Sequence, residues 1–121
     1  MEARFRQLGA DGAAFPSIIA FNDHAALPHY QPGNTPLKPD TAVLIDCGAT
    51  VDGYRSDLTR SFWFGQQPNP TWTAIQTVVE QAYQCGWQLV QTHHHGLTAQ
   101  QLDQAVRQVI TEAGYGQHYI H

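Results

Sequence analysis

Two aspartates, Asp46 and Asp57, stand eleven residues apart on either side of the dipeptide Asp52-Gly53. Asp-Gly is a strong signal for a two-residue hairpin turn, because both central positions of such a turn favour a left-handed backbone. With Val51 facing Tyr54 across that turn, Asp46 faces Thr59 and Gly48 faces Asp57. Opposed residues share a sheet face, as do residues two apart on one strand. Asp46 and Asp57 then become diagonal neighbours with β-carbons about 7 Å apart, unless a bulge intervenes. Carboxylates so placed repel each other, and burial penalises their charge further. A pair of divalent cations reverses both costs, and two-metal hydrolytic sites hold their ions roughly 3.5–4 Å apart. Gly48 opposite Asp57 is expected to leave open space for metal or substrate. Spacing alone also leaves open a plainer reading, in which Asp46 ends a strand and Asp57 is a solvated surface charge.

The elements that would position this pair follow from the surrounding pattern. Thr41–Asp46 reads as a strand with at least one buried face, and Tyr54–Phe64 as its return, ending at Gly65. Upstream lies a short β-prone run, Phe15–Phe21, followed by a turn at Asn22-Asp23-His24 and a Pro/Gly-rich loop over Gln31–Pro36. Downstream, Asn69-Pro70 supplies an N-cap and first-turn pair, after which Ile75, Val78, Val79, Ala82, Tyr83, Gly86 and Val90 recur at helical spacing. Thr98 and Gln101 fit a capping box at the head of a second helix. Its apolar stripe is Leu102, Val106, Val109 and Ile110, and Gly114 ends it. The spacing predicts helices over Pro70–Thr92 and Thr98–Ala113. Cys85 and Trp87 are expected in the core. A hairpin followed by a helical pair makes an α+β arrangement.

Composition narrows the class. The 121 residues are 42 % hydrophobic, a globular level. The net charge is −4, and the six basic residues are scattered, so no basic stripe for nucleic acid exists. No apolar run reaches membrane-spanning length, and the N-terminal residues lack an apolar signal core. Cys47 and Cys85 show no CxxC spacing. A reduced, cytoplasmic chain with no nucleic-acid or membrane partner is the simplest reading.

The wording of the hairpin is more specific than its spacing. Val43-Leu44-Ile45-Asp46-Cys47-Gly48-Ala49, followed by Asp52-Gly53-Tyr54-Arg55-Ser56-Asp57-Leu58-Thr59-Arg60-Ser61-Phe62, closely resembles the central motif of Xaa-Pro dipeptidases and Xaa-Pro aminopeptidases. These belong to the creatinase/proline-peptidase family, the M24-type metallopeptidases with a pita-bread fold. Two further segments resemble the same family. Phe15-Pro16-Ser17-Ile18-Ile19-Ala20 with Ala26-Leu27-Pro28-His29 is similar to the segment that delivers an active-site histidine seventeen residues before the first metal aspartate. Gly114-Tyr115-Gly116-Gln117-His118-Tyr119-Ile120-His121 is similar to the approach to its Gly-His-Gly motif.

The resemblance implies a partial pita-bread domain, a curved antiparallel sheet backed by the two helices. It implies that Asp46 and Asp57 are metal ligands and that His29 contacts substrate and is catalytic. His121 is then a second catalytic histidine. Thr59, facing Asp46 in the turn's register, is separately expected to orient a metal carboxylate through a hydrogen bond. The implied cofactors are two divalent ions, manganese, cobalt or zinc. The implied substrate is a proline-containing peptide or dipeptide, and the full-length protein is expected to be a homodimer. Residues 1–121 correspond to the N-terminal half of such a catalytic domain, ending before the metal-binding histidine and two later glutamates. Such a fragment is expected to be inactive alone, to bind metal weakly and to self-associate through exposed apolar surface. Two alternatives stand beside this reading: a non-catalytic module acting by binding or assembly, and a creatinase-type or methionine aminopeptidase activity. His93-His94-His95 is read as a solvated loop, since consecutive histidines do not share one helix or strand face.

Overall fold

The computed structural model describes residues 1–93 and 95–120. The chain divides into two compact units, Met1–Pro68 and the remainder from Asn69 onward.

The first unit begins with a short helix, α1 (Glu2–Gln7), which sequence reasoning did not anticipate. Its acidic residue lies in the first turn and Arg4 and Arg6 in the last, complementing the helix dipole. Six strands follow: β1 (Gly12–Ala13), β2 (Ile18–Phe21), β3 (Thr41–Cys47), β4 (Ala49–Val51), β5 (Tyr54–Arg55) and β6 (Leu58–Phe64). They form two antiparallel three-stranded sheets, ordered β1-β4-β5 and β2-β3-β6. The site-bearing hairpin spans both sheets. Its tip, β4–β5, closes through Asp52 and Gly53 at φ 50° and 82°, the left-handed pair a two-residue turn requires. The Asp52 amide also donates to Asp11 Oδ2 at 3.0 Å, tying the tip to the segment before β1.

The hairpin register is the one deduced from the turn. Val51 pairs with Tyr54 at the tip, Asp46 with Thr59 and Thr41 with Phe64 at the far end. The single return strand is corrected, however, to two strands with a gap at Ser56-Asp57. Two local facts account for the break. Ser56 turns its hydroxyl onto the strand opposite, where Oγ accepts from the Ala49 amide at 3.0 Å. Gly48 gives its carbonyl to the Ala14 amide at 2.9 Å, so this strand changes partner from β2 to β1 at that residue.

Within β2-β3-β6, alternation separates two faces. Asp46 shares one face with Ile18 and Thr59 across its neighbours, while Val43, Phe21 and Phe62 share the other. Ala20 on β2 and Val43 on the central strand β3 are buried, at 1 % and 3 % exposure. On β6, Leu58, Phe62 and Phe64 remain exposed.

The second unit is the helical pair α2 (Pro70–Thr92) and α3 (Ala99–Glu112). Asn69 caps α2 by accepting from the Thr71 amide at 2.8 Å, with Pro70 at the first helical position. The Thr98/Gln101 capping box is complete: Thr98 Oγ1 accepts from the Gln101 amide and Gln101 Oε1 accepts from the Thr98 amide. After α3, Gly114 adopts φ 88°. Its amide donates to Thr111 and that of Tyr115 to Ile110, the reciprocal pair of a Schellman ending.

The apolar residues of α2 fall on two faces rather than one. Ala82 and Gly86 are buried, and a β-carbon at Gly86 would lie 3.0 Å from Val106 of α3, so glycine permits close approach of the helices. Ile75, Val79, Tyr83, Trp87 and Val90 form the second face and are exposed. The expectation that Trp87 belongs to the core is therefore corrected: it is 50 % exposed, while Cys85 is half-buried.

On α3, Arg107 donates from Nε and Nη2 to the two oxygens of Asp103, at 3.1 and 3.0 Å. These hydrogen bonds hold the Asp103 carboxyl below its ordinary value and raise the Arg107 guanidinium. A depressed folded pKa stabilises the helix above the unfolded aspartate value, about 3.9, and loses that contribution as pH falls through the lower folded value. Carboxyl-carbon NMR is accordingly expected to show Asp103 titrating below that ordinary value, and Arg107→Met is expected to return it upward.

Candidate metal centre

Asp46 occupies β3, the central strand of its sheet, with Ile18 across one side and Thr59 across the other. Asp57 lies in the gap between β5 and β6 and is exposed. Both line one cavity of about 320 Å³, together with Phe15, Pro16, Ile18, His29 and Gln31. Three of the five site residues named from sequence thus meet at one place. Thr59 stands opposite Asp46 in register, but no hydrogen bond joins the two side chains. His121 lies outside the described residues.

Asp46 is the cavity residue most suited to a ligand. Its Oδ1 is buried and has no hydrogen-bond partner. A buried acceptor left unpaired costs roughly 1–3 kcal/mol, and more when it is charged. A cation bound to that oxygen removes the penalty, and carboxylate oxygens are hard donors suited to several divalent ions. The residues present therefore fit a metal ion, as a partial donor set. Among the described residues, no cluster of three or more His, Cys, Asp or Glu side chains is assembled.

His29 is exposed and reaches the cavity from the loop after β2 with φ 56°, a left-handed backbone uncommon outside glycine. Such conformations persist where surrounding structure enforces them, and they concentrate at functional sites. Here the enforcement comes from both sides of the histidine. Tyr30 donates its amide to Leu27 at 3.3 Å and stacks its ring on His24, centroids 4.6 Å apart and planes 17° from parallel. His24, read as a plain turn residue, thus helps hold the loop that presents His29.

The open space expected at Gly48 is filled. A β-carbon there would collide with the carbonyl of Ser56 and lie 2.9 Å from the Phe15 ring. Glycine allows the strands to close on each other; the room for a ligand lies beside it, between Asp46 and His29. Sequence reasoning also missed Gln31 and the wall made by Phe15 and Ile18. The register held a signal for Ile18, because it pairs directly with Asp46.

His93 caps the end of α2, its Nδ1 lying 2.9 Å from Thr92 Oγ1. His94 lies outside the described residues. No helix among the described residues is long and apolar enough to cross a membrane.

Known proteins resemble this chain along its whole length. An uncharacterized peptidase of Staphylococcus saprophyticus is 36 % identical over 121 residues, covering 100 % of this chain and 33 % of that relative. The prolidase from Pyrococcus furiosus superposes with a TM-score of 0.87 at 33 % identity, over 99 % of this chain and 34 % of its own. The Xaa-Pro dipeptidase from Bacillus anthracis gives a TM-score of 0.89 at 33 % identity, over 99 % and 33 % respectively. The chain thus spans about a third of the length of the relatives it matches. Over that part, its α+β architecture is the pita-bread fold expected from the sequence. The family model for metallopeptidase family M24 matches residues 1–121, and the chain belongs to that family.

Proposed function

We propose that these residues form part of the catalytic domain of a dinuclear-metal peptidase that hydrolyses Xaa-Pro bonds, of the proline dipeptidase or aminopeptidase P type. The observation that carries this reading is the unpartnered, buried Asp46 Oδ1 in a cavity shared with Asp57 and His29. Asp46 and Asp57 are the metal ligands contributed by this segment. When bound, two divalent ions, manganese, cobalt or zinc, supply Lewis-acid polarisation and an activated water. His29 binds the substrate and donates to the scissile carbonyl oxygen as negative charge develops there. His121 is the second catalytic histidine of this reading. Thr59, cross-strand from Asp46, orients that carboxylate once a ligand draws it into place. The apolar wall of Phe15 and Ile18 suits a substrate side chain better than a charged one.

The remaining ligands and the proton-shuttling carboxylate lie beyond these residues, in a longer protein of which this is the N-terminal half of the catalytic domain. The protein acts on proline-containing peptides or dipeptides, in the cytoplasm, as a homodimer. Its free cysteines, Cys47 and Cys85, are compatible with a reducing compartment.

The test is an assay of the protein expressed from its full coding sequence, with manganese or cobalt, on Xaa-Pro dipeptides, longer Xaa-Pro peptides, creatine and methionyl peptides. Turnover of an Xaa-Pro substrate is expected, abolished by chelation; turnover of creatine or methionyl peptides alone refutes the reading. The 121-residue polypeptide by itself is expected to bind manganese weakly and to show negligible hydrolysis, because its described cavity offers only two carboxylates. Robust turnover by that purified polypeptide would overturn this expectation.

A further inference from the structure

The loop after β2 presents its side chains to two different cavities. His29 and Gln31 line the cavity that holds Asp46 and Asp57. Tyr30, between them, lines a separate cavity of about 220 Å³ together with Ile19, Phe21 and Pro32. The edge strand β2 divides in the same way, with Ile18 on the first cavity and Ile19 and Phe21 on the second. The loop therefore turns alternate side chains toward the carboxylates and away from them.

Gln31 is the one carboxamide among the described residues that line the carboxylate cavity. Its backbone is restrained from both sides. Pro32 follows it, which biases Gln31 toward an extended conformation. Tyr30 precedes it and is held by its stack on His24. The side chain, by contrast, is exposed and has no hydrogen-bond partner among the described residues. Gln84 and Gln108 each hydrogen-bond a glutamate four residues away. At Gln31 a donor and an acceptor stand free on a restrained stem, two residues after the proposed substrate-binding histidine.

We propose that Gln31 is a specificity-determining residue: it recognises the peptide group that follows the substrate's proline and so favours longer peptides over free dipeptides. The inference rests on the Xaa-Pro reading above, with His29 at the scissile carbonyl. When cleavage follows a single N-terminal residue, that carbonyl belongs to Xaa itself. The next main-chain group along the substrate is the one that proline contributes. In a longer peptide this group is an amide: its carbonyl accepts from the Gln31 side-chain nitrogen, and its N–H donates to the Gln31 side-chain oxygen. In a dipeptide it is a carboxylate, which offers no donor and carries a charge that a neutral carboxamide does not balance. A site built to accept a hydrogen bond discriminates against an analogue without the donor, because its own acceptor is left unpaired.

The experiment uses the protein expressed from its full coding sequence, with manganese. Its substrates are Ala-Pro, the same dipeptide capped as a C-terminal amide, and Ala-Pro-Ala; the capped form separates charge from length. Gln31→Ala is expected to lower kcat/KM for the capped dipeptide and the tripeptide about tenfold relative to Ala-Pro, the loss of a pair of neutral hydrogen bonds. Gln31→Glu keeps the shape and adds a negative charge. It is expected to shift that ratio the other way, because it repels the free carboxylate of Ala-Pro most. An exposed side chain without contacts carries little of the fold's stability, so both variants should melt with the wild type. A merely structural loss moves all three substrates together, and an equal effect of Gln31→Ala on all three overturns the proposal. So does no effect, or a larger loss on Ala-Pro. Turnover of Ala-Pro alone by the wild type sinks this inference while leaving the Xaa-Pro reading intact. Turnover of none of the three removes that reading and the inference with it.

Discussion

Asp46→Asn, in the protein expressed from its full coding sequence, is expected to lower kcat for an Xaa-Pro substrate by on the order of a hundredfold or more. The floor comes from a comparison: groups that merely orient a metal ligand cost about 10–100-fold when removed, and Asp46 is proposed as a ligand itself. The same substitution is expected to act on stability with a different sign. Asp46 carries a buried oxygen that no protein group satisfies, beside a second carboxylate in the same cavity. Removing its charge relieves repulsion, so in chelator the melting temperature should equal or exceed that of the wild type. Manganese should raise the melting temperature of the wild type, since an ion that binds only the folded state stabilises it. It should do little for the variant. A full manganese-induced shift in Asp46→Asn would remove this carboxylate from the metal centre. A lower melting temperature in chelator would instead assign it a purely structural role.

Gly48→Ala is expected to destabilise the fold by roughly 3 kcal/mol, the upper end of the usual cost of overpacking. The added methyl has no flexible neighbour to displace, because it meets the Ser56 carbonyl, part of the backbone that hydrogen-bonds to Ala49. Relief requires β4 and β5 to part or Phe15 to leave the cavity wall. Gly12→Ala is the control. It also adds a methyl to a strand, but into open space, and should change stability by no more than about 0.5 kcal/mol. Urea denaturation of both variants measures the difference. Since the Phe15 ring that this methyl would press also lines the cavity with Asp46 and Asp57, any Gly48→Ala protein that folds should also bind metal less tightly. Equal stability of the two variants would show that the strands at Gly48 are loose enough to admit a methyl group.

The hairpin register was legible because a two-residue turn leaves no freedom in counting. Once Asp52 and Gly53 adopt left-handed conformations, every pairing back to Thr41 and Phe64 follows. The helix ends were legible for a similar reason: Asn69, the Thr98/Gln101 box and Gly114 each satisfy backbone groups through local chemistry that spacing reveals. What escaped notice depends on contacts between distant residues. Gly48 looked like open space because nothing in the hairpin shows that Ser56 and Phe15 press against it. The apolar residues of α2 looked like one stripe because periodicity reports a face's direction and not what covers it. The partners of Arg107 escaped too, for Tyr119 is twelve residues away and its contribution is partly a carbonyl. His29 follows from the resemblance alone; its left-handed backbone, an independent sign of constraint, has no signature in the sequence.

The interruption at Ser56-Asp57 bears on how a metal centre here would treat ions of unequal size. Asp46 is held by ladder pairs on both sides, so its carbonyl and amide cannot move without breaking them. Asp57 stands where no ladder runs, between the last pair of the tip and the first pair of β6. A change in the separation of the two carboxylates is therefore taken up by torsions in that gap, at no cost in strand hydrogen bonds. One jaw is fixed and the other adjusts. A larger or smaller divalent ion meets little mechanical resistance from such a vice, and discrimination falls to the hardness of the donors and to whichever ion the surroundings supply.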